Sequence, residues 1–584
     1  MAKTTIIRNI KESKVSESIL FDVSNLLRQY PNHIITTSML STYLLYKVSN
    51  DLTLDRSYES ITSENFPVPK LVSLATREII TESIWDELLT LAETHSYRTE
   101  DLAAAVLSDY LYSKNVRVAG EFSTPQSLVK LANGILNIEK DDDVADICSG
   151  IGNFIVNSHI AHPDAKYYGY DIHKDSIMLS QMRLDVINAD ADIKSTNAMS
   201  LVEDEKLKFD KIFSHFPFGM KTRSFNLTES EETIISKKFP NIEKASAGEW
   251  LLSELVCSLL SENGKAFAIL SHGATFNTID IKTRQSLIER GMIECVISLP
   301  SNLLAGTAIP VDIVIFSHGN DKDIKMVDAR SMCEESRRRN ILTDENINEI
   351  LKAVNADNDS SIIVDYNTLK ENDFALNIDR YNCDVFEYDN TVPFKTVIKE
   401  IRRGTPIKAN ELDKVTAEEP TDTKYLPLAS VNSGAIDKDL PYIESNDEKY
   451  SRYYLSDGAL IIPRMGGAMR MAVAKVEKDE KIVVNGNSFM VELDESQVDP
   501  YYLLAYFNSS YGESAINGIA SGTAIKAISV KFLETLSIPL PPLDVQKKIG
   551  EKYKTVLDEI AILKMKLNRA NGKLSEVFRK EMEG

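Results

Sequence analysis

The chain has 584 residues, of which 43% are hydrophobic and 26% charged, with 24 Gly and 19 Pro. This composition excludes a fibrous or largely disordered protein, and the length predicts about three or four domains. The formal net charge of −21 argues against a nucleic-acid partner until its distribution is considered. Residues 391–584 contain 27 basic and 28 acidic residues, so the excess acidity lies in residues 1–390.

The sequence shows no sign of export or membrane insertion. No stretch approaches ~18 consecutive apolar residues, and the first residues lack an apolar core with a small-residue cleavage site. The five cysteines are far apart and never form a CxxC pair, which disfavours zinc and a disulfide framework. We therefore expect a cytoplasmic protein with no membrane association and no metal site.

The first two predicted domains are helical and α/β. Residues 1–118 predict an N-terminal helical domain, because apolar residues recur at spacings of three and four. Residues 119–335 predict an α/β core, in which short strands rich in Val, Ile, Phe and Tyr alternate with helices. The strand candidates are 144–148, 166–172, 209–214, 265–271, 293–299 and 311–317, and the helical candidates include 174–187 and 248–261.

The pattern changes after this core. Residues 336–395 predict a connecting region, with a charge-rich helix over 334–354, and residues 396–542 contain short strands and many turns. Residues 543–584 predict a long helix. Its apolar residues step by four and three and form the a/d seam of a coiled coil: Ile549, Tyr553, Val556, Ile560, Leu563 and Leu567.

The strongest local motif is DICSGIGNF, residues 146–154. A strand ends at Asp146, and Gly150 and Gly152 lead into a helix whose first N–H groups are free for a ligand. The next strand ends near Asp171, about 20 residues later, where a carboxylate can bind both hydroxyls of a ribose. This pairing favours NAD or S-adenosylmethionine over a plain tight turn. Ile155 stands where the dinucleotide pattern has its third Gly, which disfavours a pyrophosphate.

Three further segments carry a family resemblance: GEFSTPQSLVKLAN (120–133), FDKIFSHFPFG (209–219) and IECVISLPSNLLAGTAIPVDIVIF (293–316). Their order and spacing resemble the modification subunits of type I restriction–modification systems, which are adenine-N6 DNA methyltransferases. The resemblance implies a Rossmann-like, S-adenosylmethionine-dependent methyltransferase core. It places the following residues at the cofactor site, with Asn197 where the family has an Asp facing the adenine ring: Phe122, Thr124, Pro125, Asp146, Gly150, Gly152, Phe154, Asp171 and Asn197.

The catalytic loop departs from this family. The family reads Asn-Pro-Pro-Phe/Tyr, where the Asn oxygen and the first Pro carbonyl accept hydrogen bonds from the target amino group and the aromatic ring stacks on the flipped base. This chain has His215, Phe216, Pro217 and Phe218. Neutral histidine offers one acceptor nitrogen, and Phe216 lacks the fixed φ of proline. Losing one well-placed hydrogen bond costs ~100- to 1000-fold in rate.

Two functions follow from this departure. The first is an active DNA adenine-N6 methyltransferase of a restriction–modification or phage-defence system. The second is a catalytically degenerate DNA-recognition or sensor module that recruits an effector. Methylation of RNA or protein is a remote third reading, because the C-terminal third argues against it.

The C-terminal segments 455–474, 483–493, 499–510 and 521–549 resemble one half of a type I specificity subunit. This implies an α+β target-recognition domain over 396–542 that binds double-stranded DNA, followed by a spacer helix. The expected DNA contacts are Arg464, Arg470 and Lys526. Because half of such a unit can complete itself by pairing with a second copy, we expect a homodimer through residues 543–580. The alternative is that this helix folds back onto its own methyltransferase domain. A separate restriction or effector subunit is a further expected partner.

Overall fold

A computed structural model describes residues 14–29, 34–108, 111, 123–305, 307–336, 339–381, 390–407, 412, 414–417, 419–432, 434–437, 439–464, 471–509, 511–512, 515 and 528–583. The chain divides into two units, Met1–Ile378 and Asp379–Gly584. Within these described ranges, no helix is both long and apolar enough to cross a bilayer.

The first unit begins with amphipathic helices: α1 (Lys14–Leu26), α2 (Ile34–Asn50), α3 (Tyr58–Ile61), α4 (Lys70–Ile79), α5 (Glu82–His95) and α6 (Thr99–Leu107). The apolar positions that predict these helices, such as Val23 and Val106, are fully buried. Their core is continuous with that of the following sheet. The helical segment predicted as a domain of its own therefore shares one hydrophobic core with the α/β part.

A sheet of nine strands within the described residues forms the centre of the first unit. The strands are β1 (Asp143–Ile147), β2 (Lys166–Asp171), β3 (Ala191–Ser195), β4 (Phe209–His215), β5 (Leu260–Ser271), β6 (Ile293–Ser298), β7 (Val311–Ser317), β8 (Ile324–Asp328) and β9 (Ser361–Val364). Their order is β3-β2-β1-β4-β5-β7-β6-β8-β9. The first five are parallel, and β7 inserts antiparallel between β5 and β6. This order confirms the predicted Rossmann-like core.

The helices that cover this sheet are α7 (Gln126–Leu136), α8 (Asn153–Ala161), α9 (Lys174–Ile187), α10 (Glu229–Lys238), α11 (Gly248–Leu259), α12 (Ile281–Glu289), α13 (Asp344–Asn355) and α14 (Tyr366–Glu371). The predicted helix over 334–354 is wrong in its first part. Glu334 pairs with Ile341 as an isolated β-bridge, and α13 begins only after Thr343. The side chains of Thr343 and Asn346 form a reciprocal capping box there. Part of the predicted connecting region, including β9, belongs to the sheet.

The second unit is built on a four-stranded antiparallel sheet of described residues, whose strands are, in spatial order, Ile398–Arg403, Ser488–Leu493, Leu460–Pro463 and Ala472–Val473. Its strands and helices are β10 (Thr391–Pro393), β11 (Ile398–Arg403), β12 (Thr423–Leu426), β13 (Val431–Asn432), β14 (Ala435–Ile436), α15 (Asp447–Tyr450), β15 (Leu460–Pro463), β16 (Ala472–Val473), β17 (Lys481–Val484), β18 (Ser488–Leu493), α16 (Pro500–Phe507), α17 (Val530–Thr535), β19 (Ser537–Pro539) and α18 (Leu543–Glu583). Strands alternate their side chains between faces, and both faces are apolar here. Leu460 and Ile462 join one core, which contains Leu503 of α16, and Ile461 joins another. This confirms the predicted α+β domain that ends in a long helix.

The start of α18 is anchored within this unit. Buried Gln546 donates to the carbonyls of Gln497 and Pro541, at 3.1 and 2.7 Å, and accepts from the Asp499 N–H at 3.0 Å. Leu557 packs against the same core as α16. By contrast, the seam residues Ile549, Val556, Ile560, Leu563 and Leu567 are between 37% and 60% exposed.

Candidate functional site

A cavity of about 510 Å³ lies where the order of the parallel strands reverses, between β1 and β4. At such a point the loops leave the sheet in opposite directions, and their divergence opens a crevice at the carboxyl edge. The walls come from the loops after these two strands, the ends of β2 and β3, the segment before the helix Gln126–Leu136, and residues 224–226. Predicted site residues on the walls are Thr124, Gly150, Asp171, Asn197, His215, Phe216, Pro217 and Phe218.

The glycine turn after β1 has two separate functions. Gly150 and Gly152 have φ of 51° and 76°, in the left-handed region that favours glycine. Gly150 lines the cavity. Gly152 does not, and a Cβ there would lie 2.2 Å from Oγ of Ser180 on α9. Gly152 therefore allows α8 and α9 to approach each other, and Gly150 leaves room for a ligand.

Asp171 is a buried carboxylate at the end of β2 that faces the cavity. Its Oδ2 accepts the N–H of Gly150 at 2.8 Å, and its Oδ1 accepts the N–H of His173 at 2.9 Å. Each oxygen keeps a further acceptor position. The carboxylate thus fixes the glycine turn and still offers both oxygens to a pair of hydroxyls.

Asp146 is 2% exposed and does not line the cavity. Its Oδ1 has no hydrogen-bond partner among the described residues. Burial, with the neighbouring charge of Asp171, raises the pKa of Asp146 well above its usual range. The structure therefore places Asp146 in the interior beside the site, whereas the resemblance placed it at the cofactor.

The other predicted cofactor residues occupy different positions. Pro125 caps α7, and Phe154 is buried and stacks on Phe213 with centroids 4.2 Å apart. Asn197 lines the cavity, but its Oδ1 accepts the N–H of Met199 at 3.1 Å and its Nδ2 donates to the carbonyl of Phe225 at 3.0 Å. Phe122 lies outside the described residues.

His215 is the last residue of β4 and contacts Thr124. The Nδ1 of His215 lies 3.0 Å from Oγ1 of Thr124, and either atom can donate, depending on the tautomer. Its Nε2 is buried and has no hydrogen-bond partner in the described part of the chain. Burial lowers the pKa of His215 to about 4, so the ring is neutral at physiological pH.

The three residues after His215 also line the cavity. Phe216 is almost completely buried, and its N–H points to the carbonyl of Ile269 at 3.4 Å. Pro217 and Phe218 are half-buried. The rings of Phe218 and His215 are 5.3 Å apart and inclined by 55°. The loop therefore presents one imidazole and one aromatic face to the same space.

Two residues that the sequence analysis did not single out, Asn153 and Arg183, join the segment at Thr124 to the glycine turn after β1. Asn153 donates to Oγ of Ser123 at 2.6 Å and to the carbonyl of Thr124 at 3.0 Å. Buried Arg183 donates to Oδ1 of Asn153 at 2.5 Å and to the carbonyl of Ile151 at 2.8 Å. The available signal was an arginine among the apolar positions of the helix LSQMRLDVI.

In the second unit, the structure places one predicted DNA contact. Arg464 follows β15, and its carbonyl accepts the N–H of Ile528 at 2.8 Å. Arg470 and Lys526 lie outside the described residues.

Comparison with known proteins matches both units. The N-6 DNA Methylase family matches residues 105–389, and the Type I restriction modification DNA specificity domain matches residues 398–571. The chain is 24% identical over 331 residues to the Type I restriction enzyme MjaIX methylase subunit of Methanocaldococcus jannaschii, covering 52% of this chain and 57% of that protein. It is 21% identical over 190 residues to the Type I restriction enzyme EcoKI specificity subunit of Escherichia coli, covering 32% and 39%.

Among solved structures, the type I restriction-modification system methyltransferase subunit from Streptococcus thermophilus covers 58% of this chain and 80% of its own, at 19% identity and a TM-score of 0.46. The chain spans little more than half the length of the first curated relatives, 57% and 55%. The sheet order and the cavity define the class of fold, a Rossmann-like core with an appended α+β domain. More particularly, the chain combines an N-6 DNA methylase domain with a type I restriction–modification DNA specificity domain, and the resemblance of its motifs is confirmed.

Proposed function

We propose that this protein is a DNA-binding, S-adenosylmethionine-dependent methyltransferase that modifies adenine N6 within a restriction–modification system. One observation carries the proposal: a single cavity is lined by both Asp171 and the loop from His215 to Phe218. A ribose-binding carboxylate and a base-binding loop in one cavity are what methyl transfer from a nucleoside cofactor to a base requires.

The residues of the cavity fit S-adenosylmethionine. Gly150 has no side chain to obstruct a ligand, and both carboxylate oxygens of Asp171 keep acceptor positions for ribose hydroxyls. The amide of Asn197 is occupied on both sides by backbone groups, so its oxygen has one remaining position for the adenine amino group. Bound S-adenosylmethionine supplies an electrophilic methyl group.

The residues of the loop orient the target base. In the proposed complex, Phe218 stacks on the flipped base, and Nε2 of His215 and the carbonyl of Phe216 accept the two N–H groups of the target amine. These two hydrogen bonds direct the nitrogen lone pair at the methyl group. The lowered pKa of His215 keeps its ring neutral, and only a neutral ring has an acceptor nitrogen.

Two variants separate transfer from cofactor binding. His215→Ala should reduce transfer by ~100-fold or more, since it removes one transition-state hydrogen bond, with cofactor affinity nearly unchanged. Asp171→Ala should weaken cofactor binding by about tenfold or more, because charge-assisted hydrogen bonds are lost. Calorimetry measures affinity, and radiolabelled transfer to genomic DNA lacking its native modification measures activity.

Matched controls are His318→Ala and Asp175→Ala, which change exposed residues outside the cavity. Full transfer by the His215→Ala variant would show that this residue has no catalytic role. A protein that binds DNA and the cofactor but transfers no methyl group would instead be the degenerate recognition module. Recovery of transfer by His215→Asn with Phe216→Pro would identify the loop as the cause.

We further propose that residues 396–542 recognise double-stranded DNA and that residues 543–580 pair two copies into a homodimer. The near-neutral charge of residues 391–584 supports the first part, since the acidity lies elsewhere in the chain. The exposed seam of α18 supports the second part. A two-fold arrangement of recognition domains reads a palindromic two-part site. A separate restriction or effector subunit completes the proposed system.

A further inference from the structure

Two arginines of the second unit converge on one carbonyl oxygen. Nε of Arg403, the last residue of β11, donates to the carbonyl of Gly486 at 2.9 Å. Nη1 of Arg464 donates to the same oxygen at 3.2 Å. Arg403 lies opposite Phe489 in the strand register, and the guanidinium of Arg464 lies 5.4 Å from the centre of that ring. The two guanidinium groups are therefore neighbours at the end of the sheet where β11 and β15 both terminate.

No carboxylate among the described residues balances the charge of this pair. Within the described residues, no Asp or Glu oxygen lies within 4.0 Å of Arg403 or Arg464, and the Nε of Arg464 is buried without a partner. Burial and the charge of Arg403 lower the pKa of Arg464. Each guanidinium has five N–H donors, and the shared carbonyl uses one from each.

Three other cations of the same unit pair closely with acids. Arg402, one residue earlier on β11, pairs with Glu492 at 2.7 Å, and Lys424 pairs with Glu480 at 2.7 Å. Lys481 contacts both Asp422 and Asp447. These three cations therefore have acidic partners, whereas Arg403 and Arg464 have none in the described part of the unit. Two like charges repel in the free protein, so an external anion would relieve an unfavourable interaction.

We propose that Arg403 and Arg464 together hold one phosphate group of the DNA backbone. The inference rests on the proposed DNA-binding function and adds the kind of contact these residues make. Guanidinium groups bind phosphate oxygens through parallel N–H donors, and two of them bracket a single phosphate. Phe489 and the Gly486 carbonyl hold the two side chains in place before DNA binds.

The test is fluorescence anisotropy of the full chain with two labelled duplexes, one A·T-rich and one G·C-rich, over a range of salt concentrations. Arg403→Gln and Arg464→Gln should each weaken binding about tenfold on both duplexes. The double variant should reduce the magnitude of the slope of log K against log salt by about 0.9, the value for one phosphate contact. Each single variant should reduce it by less, because the other arginine still contacts the same phosphate.

Lys399→Gln is the matched control, because it removes one positive charge from the same strand, β11. Unlike the two arginines, Lys399 has a carboxylate nearby, since its Nζ lies 4.0 Å from Oδ1 of Asp494. Thermal melting at low salt should show Arg403→Gln to be at least as stable as the unmutated protein. Arg403→Lys should bind more weakly than the unmutated protein although it keeps the charge, because it lacks the planar fork.

The proposal is overturned if the two glutamine variants weaken binding no more than Lys399→Gln does. It is also overturned if binding falls on one duplex only with an unchanged salt slope, because that result indicates a base contact. If the unmutated protein binds neither duplex, the DNA-binding function itself fails, and the inference fails with it.

Discussion

Histidine offers an acceptor nitrogen to a substrate in either neutral tautomer, but at different atoms. In His215, Nδ1 already faces the hydroxyl of Thr124, so Nε2 is the ring nitrogen that has no partner among the described residues and that the proposed function assigns to the substrate. Nε2 accepts only if the proton is on Nδ1 and is donated to Thr124. The proposed role of His215 in methyl transfer therefore requires the Nδ1–H tautomer.

Thr124→Val tests this requirement, because it removes the hydrogen-bond acceptor at nearly constant shape. We expect transfer to fall about five- to tenfold, the effect of one neutral hydrogen bond, and Thr124→Ser to retain most of it. Nitrogen-15 NMR of the imidazole should show Nδ1 protonated in the unmutated protein and a tautomer mixture in the valine variant. An Nε2–H ring in the unmutated, active protein would contradict this account.

The buried ring of His215 also makes stability depend on pH. Its pKa of about 4 lies below the ~6.5 of an unfolded histidine, so the unfolded chain binds the proton more readily. The free energy of unfolding should therefore fall as pH drops from about 6.5 to 4. In His215→Asn this loss should be smaller by up to about 3 kcal/mol, measured by urea unfolding at several pH values. Identical pH profiles for both proteins would refute the expectation.

At the scale of elements, α18 has two apolar faces and only one of them is covered. The face with Gln546 and Leu557 packs within its own unit. The neighbouring face carries Val556, Ile560 and Leu563, which are 53%, 37% and 55% exposed. Its seam spans about five helical turns, which is long enough to pair two helices but short for a coiled coil that is stable alone.

Changing Val556, Ile560 and Leu563 to Glu should convert a dimer into monomers and weaken DNA binding, as measured by light scattering and anisotropy. The physical reason is that three charges in an apolar interface lose their hydration without gaining partners. Ile562→Glu with Met565→Glu is the matched control, because these exposed residues lie on the opposite side of the helix. A monomer for the unmutated protein, alone and on DNA, would favour the fold-back alternative.

At the scale of the whole molecule, sequence patterns predict the elements better than their assembly. The helix over 174–187 and the strand over 311–317 are confirmed with the expected bounds, because their apolar residues are buried nearly continuously. The strands at 324–328 and 361–364 were not anticipated, since they are short and flanked by charged residues. The start of α13 was misplaced, although Thr343 and Asn346 carry the capping signal.

The site was predictable only where its residues form local motifs. Gly150 and the loop at His215 could be read from neighbouring residues, and the structure brings them to one cavity. The contact of Thr124 with His215 spans 91 positions, and that of Arg403 with the Gly486 carbonyl spans 83. No local pattern encodes such pairs, because they arise when separate strands pack together.

The hydrogen bonds of α9 decide where this protein can be recombined with a relative. Arg183 joins the glycine turn to the carbonyl of Leu107 at the end of α6, and Asp185 receives the hydroxyl of Tyr43 and the ammonium of Lys47 from α2. A crossover near residue 118 would cut through one shared interior and mismatch these partners. A crossover between Ile378 and Asp379 separates chain segments whose described apolar clusters are distinct. Under the proposed function, exchanging everything after Ile378 would change the DNA specificity and leave the methyltransferase part of the chain unchanged.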